Sequence, residues 1–269
     1  MKTMRILCAL GSLALLAAAA HSEQIVVPLS NPGQPATVEV SLTNGSIQVE
    51  AYDGREVVVE VTPHELEAPA EETGTRDGLR RLPNTGVAFE VEEEDNVVQV
   101  ASESWKRTID VKIRVPAATS VRLETVNHGN IEVRGVRGEH EIGNVNGWIK
   151  VVGVSGSVVA HTTNGDVTVE LEAVTAETPM AFSSFNGDVD VTFPANLKAD
   201  LKMRSNNGDI LTDFDVELSA APPKIERQAK DGSFSYKMES ETRGKLNGGG
   251  PEMSFRTYNG DIILRKTKS

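Results

Sequence analysis

Residues 161–169 read "HTTNGDVTV", and nearly the same phrase returns as "SFNGDVDV" at 184–191, "SNNGDIL" at 205–211 and "TYNGDII" at 257–263. A catalytic motif is normally written once, whereas architecture is written repeatedly. Asn-Gly pairs occur at 44, 146, 164, 186, 207, 247 and 259. Aligned on glycine, and with Gly129 of "VNHGNIEV" added, Gly129, Gly147, Gly165, Gly187 and Gly208 are 18, 18, 22 and 21 residues apart, and Gly260 follows after 52. Two residues after each glycine stands Ile131, Ile149, Val167, Val189, Ile210 or Ile262, and two further on Val133, Val151, Val169, Val191, Thr212 or Leu264. Apolar residues at period two mark a strand with one buried face.

A second corner repeats within the first two units, where "GVRG" (135–138) and "GVSG" (153–156) fall at the same offset. Each 18-residue unit then holds two glycine corners and two short strands. That is the period of a solenoid, in which a coil buries its apolar face only against its neighbours. Asn-Gly is also a strong hairpin signal, so an antiparallel meander is the competing reading. Recurrence of the same residue types in the same phase favours coils. The expected fold is all-β, a parallel β-solenoid or β-helix with 18–22-residue coils and Asn-Gly corners, with N-terminal strands packed on the same body.

Several segments carry this resemblance to a known family: "NGDVTVELEAV" (164–174), "GVRGEHEIGNVNG" (135–147), "GKLNGGGPEMSFRTYNGDIILRK" (244–266) and the opening "TVEVSLTNGSIQVEAYDGREVVVEV" (37–61). Over roughly residues 37–266 the chain resembles the DUF4097 family of bacterial β-strand-repeat proteins, often labelled as candidate adhesins. The resemblance implies an exported, parallel β-solenoid-like fold whose biochemical role is largely undefined.

The N-terminus reads as a signal peptide. Lys2 and Arg5 precede the apolar run Ile6–Ala20, and small residues follow, so cleavage is expected after Ala20 or after Ser22. The run is short for a membrane span, which needs about 20 residues. Cys8, the only cysteine, lies inside this leader, so the exported chain is expected to have no thiol, disulfide or cysteine-based metal site. Removing Lys2 and Arg5 takes the formal net charge from -12 to -14, and aromatic residues are only 4%. Both features argue against nucleic acid and anionic membrane surfaces as partners. A protein or glycan partner at the periplasm or cell surface is expected instead.

The remaining chain divides into 23–115, an N-terminal β-strand region with a mobile loop at 66–86, and 116–269, the repeats with an insertion at 214–250. In that insertion the first half reads as a loop around Pro222-Pro223, and "SFSYKMES" (233–240) alternates like a hairpin strand. No clean linker separates the two parts. The basic tail "LRKTKS" (264–269) is expected to blunt one exposed end of the stack; whether the N-terminal strands cover the other is a question for the structure.

No catalytic or cofactor fingerprint emerges: the sequence has no P-loop, no Rossmann glycine pattern and no G-x-S-x-G. His21, His64, His128, His140 and His161 show no metal-ligand spacing, and His128 stands in place of the asparagine before Gly129. "LPNTG" (82–86) has the form of a sortase signal but is followed by no apolar span and basic tail, and is read as coincidence. Stacked corners would bring Asp166, Asp188 and Asp209 into one column about 4.8 Å per step, a conceivable divalent-cation site. Turn chemistry is the favoured reading, because the same column also holds Ser46, Asn130 and Trp148. Trp148, Phe185 and Tyr258 lie at or beside corners, where they would stack on a sugar ring or, as the plainer reading has it, pack over the neighbouring corner. The functional expectation is a non-catalytic, adhesin-like binding scaffold at the cell envelope. The alternatives are an envelope-stress sensor accessory and a carbohydrate-active β-helix enzyme.

Overall fold

The strand Thr119–Asn127 buries Val121, Leu123 and Thr125 and turns Arg122, Glu124 and Val126 outward. The same alternation runs through strand after strand, which is what period-two sequence dictates once one face is covered. The computed structural model describes residues 23–64, 75–76, 79–80, 89–102, 107–175, 177–219, 224–230, 233–239 and 241–268. The expected leader, His21 and the "LPNTG" segment lie outside these.

All regular structure among the described residues is β. In chain order it comprises β1 (Glu23–Val27), β2 (Ala36–Asn44), β3 (Ile47–Tyr52), β4 (Val57–His64), β5 (Thr75–Arg76), β6 (Leu79–Arg80), β7 (Glu90–Glu94) and β8 (Val97–Ser102). Then follow β9 (Thr108–Pro116), β10 (Thr119–Asn127), β11 (Ile131–Arg134), β12 (Arg137–Asn146), β13 (Ile149–Asn164), β14 (Val167–Val174), β15 (Met180–Asn186) and β16 (Val189–Phe193). The last are β17 (Ala199–Asn207), β18 (Ile210–Thr212), β19 (Glu217–Ser219), β20 (Lys224–Lys230), β21 (Ser233–Glu239), β22 (Thr242–Leu246), β23 (Glu252–Asn259) and β24 (Ile262–Lys266). No described helix is long and apolar enough to cross a membrane.

Two ladders of strands share the work. The first runs β8–β2–β10–β12–β13–β15–β23–β17, every pair parallel. The second runs β9–β3–β11–β13–β14–β16–β24–β18, again parallel throughout. β13 belongs to both, its early residues in the second ladder and its late ones in the first, so one mixed twenty-stranded sheet results. A rung is one strand from each ladder joined by a turn, in most rungs Asn-Gly, as in β14 following β13 across Asn164-Gly165. At the second corner Gly135 and Gly153 both take positive φ (69° and 65°), and Val136 and Val154 beside them are buried.

The sheet ends are antiparallel. β7 covers β8 and β4 covers β9, with β1 outside β4; at the other end β22 covers β17, with β19 beyond. N-terminal strands therefore do cover one end. The basic tail does not blunt the other: its strand β24 lies inside the second ladder, between β16 and β18. The chain's last rung reaches that place because aromatic residues key it there. Phe182 and Phe255 stack with centroids 5.2 Å apart, and Phe193 meets both edge-on at 6.0 and 6.2 Å. In the insertion, β20 and β21 pair as an antiparallel hairpin, so part of the stretch expected as loop is strand. Within 66–86 the described residues are the short antiparallel pair β5–β6. A single hydrophobic cluster extends from Val27 to Leu264, with Ile113, Ile131, Ile149, Val191 and Ile262 at zero exposure.

Candidate functional site: the stacked turn edge

At the turns four columns lock one rung to the next. Two residues before the asparagine an inward side chain donates to the neighbouring glycine carbonyl. Thr125 Oγ1 donates to Gly45 O (2.8 Å), Asn144 Nδ2 to Gly129 O (3.1 Å) and Thr162 Oγ1 to Gly147 O (2.9 Å). Ser184 Oγ to Gly165 O, Thr257 Oγ1 to Gly187 O and Ser205 Oγ to Gly260 O, all at 2.8 Å, continue the series. These side chains, five hydroxyls and the Asn144 amide, are buried or part-buried, and each satisfies a carbonyl that the tight turn would otherwise strand.

The asparagines form a second column. Asn146 Nδ2 donates to Asn127 Oδ1 (2.9 Å), Asn164 to Asn146 (2.8 Å), Asn186 to Asn164 (2.8 Å), Asn259 to Asn186 (2.7 Å) and Asn207 to Asn259 (2.9 Å). An amide has a donor end and an acceptor end, so it is the side chain that continues such a ladder without interruption. His128 is not the substitute for asparagine that its position suggested. Asn127 holds the column place, opposite Asn44, and His128 is an extra residue at φ 55° with Nδ1 3.3 Å from Asn44 Oδ1.

Glycine is required in the third column. At Gly187 φ is 152°, and a methyl group there would lie 2.1 Å from Gly165 O; at Gly260 the figures are 150° and 2.2 Å from Gly187 O. Backbone stacks on backbone here, which excludes any Cβ.

The fourth column holds the residues singled out as a possible cation site. Asp188 N donates to Asp166 Oδ1 (2.9 Å), Asp261 N to Asp188 Oδ1 (2.8 Å) and Asp209 N to Asp261 Oδ1 (2.8 Å). Asp166 and Asp188 are thus neighbours, but Asp209 is separated from Asp188 by Asp261. The series continues upward without carboxylates, Trp148 N donating to Asn130 Oδ1 (3.0 Å) and Asn130 N to Ser46 Oγ (3.3 Å). Ser46 N then donates to Asp110 Oδ1 (2.8 Å), whose other oxygen meets His64 Nε2 at 2.5 Å. One oxygen of Asp166, Asp188, Asp261 and Asp110 is therefore engaged as a backbone cap. No group of three or more His, Cys, Asp or Glu in a metal-holding arrangement occurs among the described residues.

Ser46, Asp110 and His64 bring the residue types of a hydrolytic triad together in the wrong order. A triad needs the imidazole between carboxylate and hydroxyl, whereas here Asp110 is in the middle and Ser46 Oγ accepts from Asn130 N. Of the other histidines, His161 is exposed. His140 is buried at 2% exposure in an inward row between Val121 and Val158. Its Nδ1 lies 3.0 Å from Ser157 O and its Nε2 has no partner; burial pushes its pKa down, partly opposed by the backbone contact to Ser157.

The aromatic residues split. Phe185 and Tyr258 stack on one another at 4.9 Å and 6° and remain half exposed, so each does pack over the neighbouring rung. Trp148 stands apart from that pair, at 40% exposure. The inward hydroxyl column escaped sequence reading, although the recurring Ser or Thr two residues before Asn-Gly was its signal. Asp110 and His64 had none, since they lie in strands without the turn motif.

Stacked parallel rungs held by polar turn columns define a β-repeat scaffold protein. The chain belongs to the Toastrack DUF4097 family, whose model matches residues 24–242. No curated protein matches the sequence. Among solved structures it is similar to a candidate cell adhesion protein of Clostridium sporogenes, at 11% identity and TM-score 0.49 over 92% of this chain and 99% of that one. A candidate adhesin of Bacteroides fragilis gives 10% and 0.42 over 92% and 97%, and one of Parabacteroides merdae 10% and 0.31 over 92% and 96%.

Proposed function

We propose that this protein is a non-catalytic, adhesin-like scaffold: an exported β-solenoid with Asn-Gly corners that binds a protein or glycan of the cell envelope through its outward rows. One observation carries the reading. The residues that repeat are consumed in holding rung to rung, while those that face solvent do not repeat. Across the first ladder one outward row reads Ala101, Ser41, Glu124, Gly143, His161, Ser183, Arg256 and Arg204, with no common chemistry. A rigid frame with variable outward positions is a binding architecture. Family membership supports it, and export is supported by the basic, apolar and small-residue order of residues 1–22.

The Asp166, Asp188 and Asp209 column, completed by Asp261, is on this reading turn architecture, and residues 23–115 and 116–269 are two stretches of one body. Calcium titration with thermal melting tests the first point: no heat and no melting shift is expected, and saturable binding with a raised Tm would overturn it. The function is tested by incubating the purified exported chain with intact cells, envelope fractions and immobilised glycans. Saturable, unprocessed binding is expected; hydrolysis or elimination of a polysaccharide, or no saturable binding to any of these, would refute it.

A further inference from the structure

The geometry points to a carbohydrate subsite on the outer face of the first ladder, taking one uncharged or amine-bearing hexopyranose and rejecting acidic sugars. It rests on the scaffold reading and gives it a place and a ligand class.

The face dips where small residues interrupt an outward row. Ala101, Ser41 and Gly143 stand in the row that also carries Glu124 and His161, and a depression of about 280 Å³ opens there. That is close to the lower end for small-molecule sites, which suits a single ring better than a chain. A methyl group on Gly143 would lie 2.9 Å from His161 Cε1 and Nε2 and 3.7 Å from Glu124 Cγ. Both side chains thus lean over the glycine, one from each neighbouring strand. Neither makes a hydrogen bond or ion pair with any described residue.

One wall of the depression is already organised. Arg122 Nη1 lies 2.6 Å from Glu39 Oε1, its Nε 3.6 Å from Glu141 Oε2, and Gln99 Nε2 3.4 Å from Glu39 Oε2. Planar polar groups paired along this row present donors and acceptors to adjacent hydroxyls. Val40, Val100 and Leu123, whose side chains point into the core, complete the lining beside Ala101. A pyranose presents an edge of adjacent hydroxyls to that row of donors and acceptors.

Charge sets the class. Glu39, Glu124 and Glu141 against Arg122 leave the rim acidic, so a uronate, sulfate or phosphate is repelled and an ammonium is accepted. A peptide strand is a poorer occupant. The depression lies within the sheet, where backbone donors are already used in the parallel ladders β8–β2–β10–β12, so strand addition has nothing to pair with.

The test is titration of the labelled chain with methyl glucoside, methyl galactoside, methyl mannoside, glucosamine and glucuronic acid, followed by amide shifts in two-dimensional NMR. Expected are saturable shifts centred on Glu124, Gly143 and His161 with at least one neutral or amino sugar and none with glucuronic acid. Glu124→Gln and Gly143→Ala should each weaken that binding by about ten-fold, with an unchanged Tm. The new methyl in the second variant meets only a side-chain end, so the fold absorbs it. Shifts confined elsewhere, such as around Phe185 and Tyr258, or binding indifferent to both variants, would overturn the subsite while leaving the scaffold reading intact. Absence of shifts with every sugar would overturn it too, and saturable binding to envelope fractions would show separately that the scaffold reading survives.

Discussion

The middle of the stack and its two ends are built from the same rungs but assembled differently. From β10 to β16 the rungs lie in space in the order in which they occur in the chain, one every 18–22 residues, as the spacing of Gly129, Gly147, Gly165 and Gly187 shows. At each end a rung is inserted out of order. β2–β3 sits between β8–β9 and β10–β11, and β23–β24 sits between β15–β16 and β17–β18. At the C-terminal end the turn columns cannot distinguish these arrangements, because the rungs β15–β16, β17–β18 and β23–β24 each offer the same Asn-Gly-Asp to any neighbour. There core shape decides instead, because Phe255 of the inserted rung stacks on Phe182 and meets Phe193 edge-on.

That difference can be broken first at the key. Phe255→Ala removes the ring that stacks on Phe182 and meets Phe193, and should cost about 3–5 kcal/mol by denaturant unfolding. Ile149→Val in a middle rung should cost about 0.5–1.5 kcal/mol, since its aliphatic neighbours close around the loss. Equal costs would mean that the C-terminal rung is not keyed by its aromatics.

Gly187→Ala comes next. It combines positive φ with a methyl 2.1 Å from a backbone carbonyl, whereas Gly33 has φ 108° and open space around it. Gly187→Ala should exceed the roughly 1 kcal/mol scale of a backbone-only penalty, and Gly33→Ala should stay near it, as thermal melting would show.

His140 probes the middle rungs by pH. Its folded pKa lies below the ordinary 6.5 because burial disfavours the cation. The unfolded chain therefore takes up this proton first, so the contribution is fully present above about pH 6.5 and is lost as pH falls below it. Val121 and Val158 occupy the same row on either side, so His140→Val should be neutral or stabilising and should flatten stability between pH 7 and 5. An unchanged pH profile would contradict this. The smallest effect is expected from Asp190→Asn, which removes the exposed fork in which Arg265 Nε and Nη2 donate to Asp190 Oδ1 and Oδ2 (both 2.9 Å); its change in stability should vanish in high salt.

Much of the middle was legible because local chemistry dictates it. Val167 and Val169, or Ile149 and Val151, announce a half-buried strand, and Asn-Gly announces the turn between ladders. The Asp166–Asp188 adjacency followed from the 22-residue step. Asp209 did not, because nothing local in "SNNGDIL" says that a rung 52 residues downstream will enter between it and Asp188. His128 misled for a related reason: an inserted residue at positive φ looks like a substitution when only spacing is read. The trough at Gly143 was invisible in sequence, since it depends on which outward residues of β8, β2, β10, β12 and β13 become neighbours.

The order of rungs at the C-terminal end is the central claim, and paired cysteines test it most directly. With Cys8 replaced by serine, Ser183 faces Arg256, and Arg256 faces Arg204 on its other side. Adjacent outward positions about 4.8 Å apart are within disulfide reach, while positions two rungs apart at about 9.6 Å are not. The pairs Ser183→Cys with Arg256→Cys and Arg256→Cys with Arg204→Cys should both oxidise readily in the folded monomer, and Ser183→Cys with Arg204→Cys should not. Ready closure of that last pair, with failure of Ser183→Cys with Arg256→Cys, would put the rungs in sequence order and contradict the account; the pair at 256 and 204 is adjacent in either order and serves as the positive control.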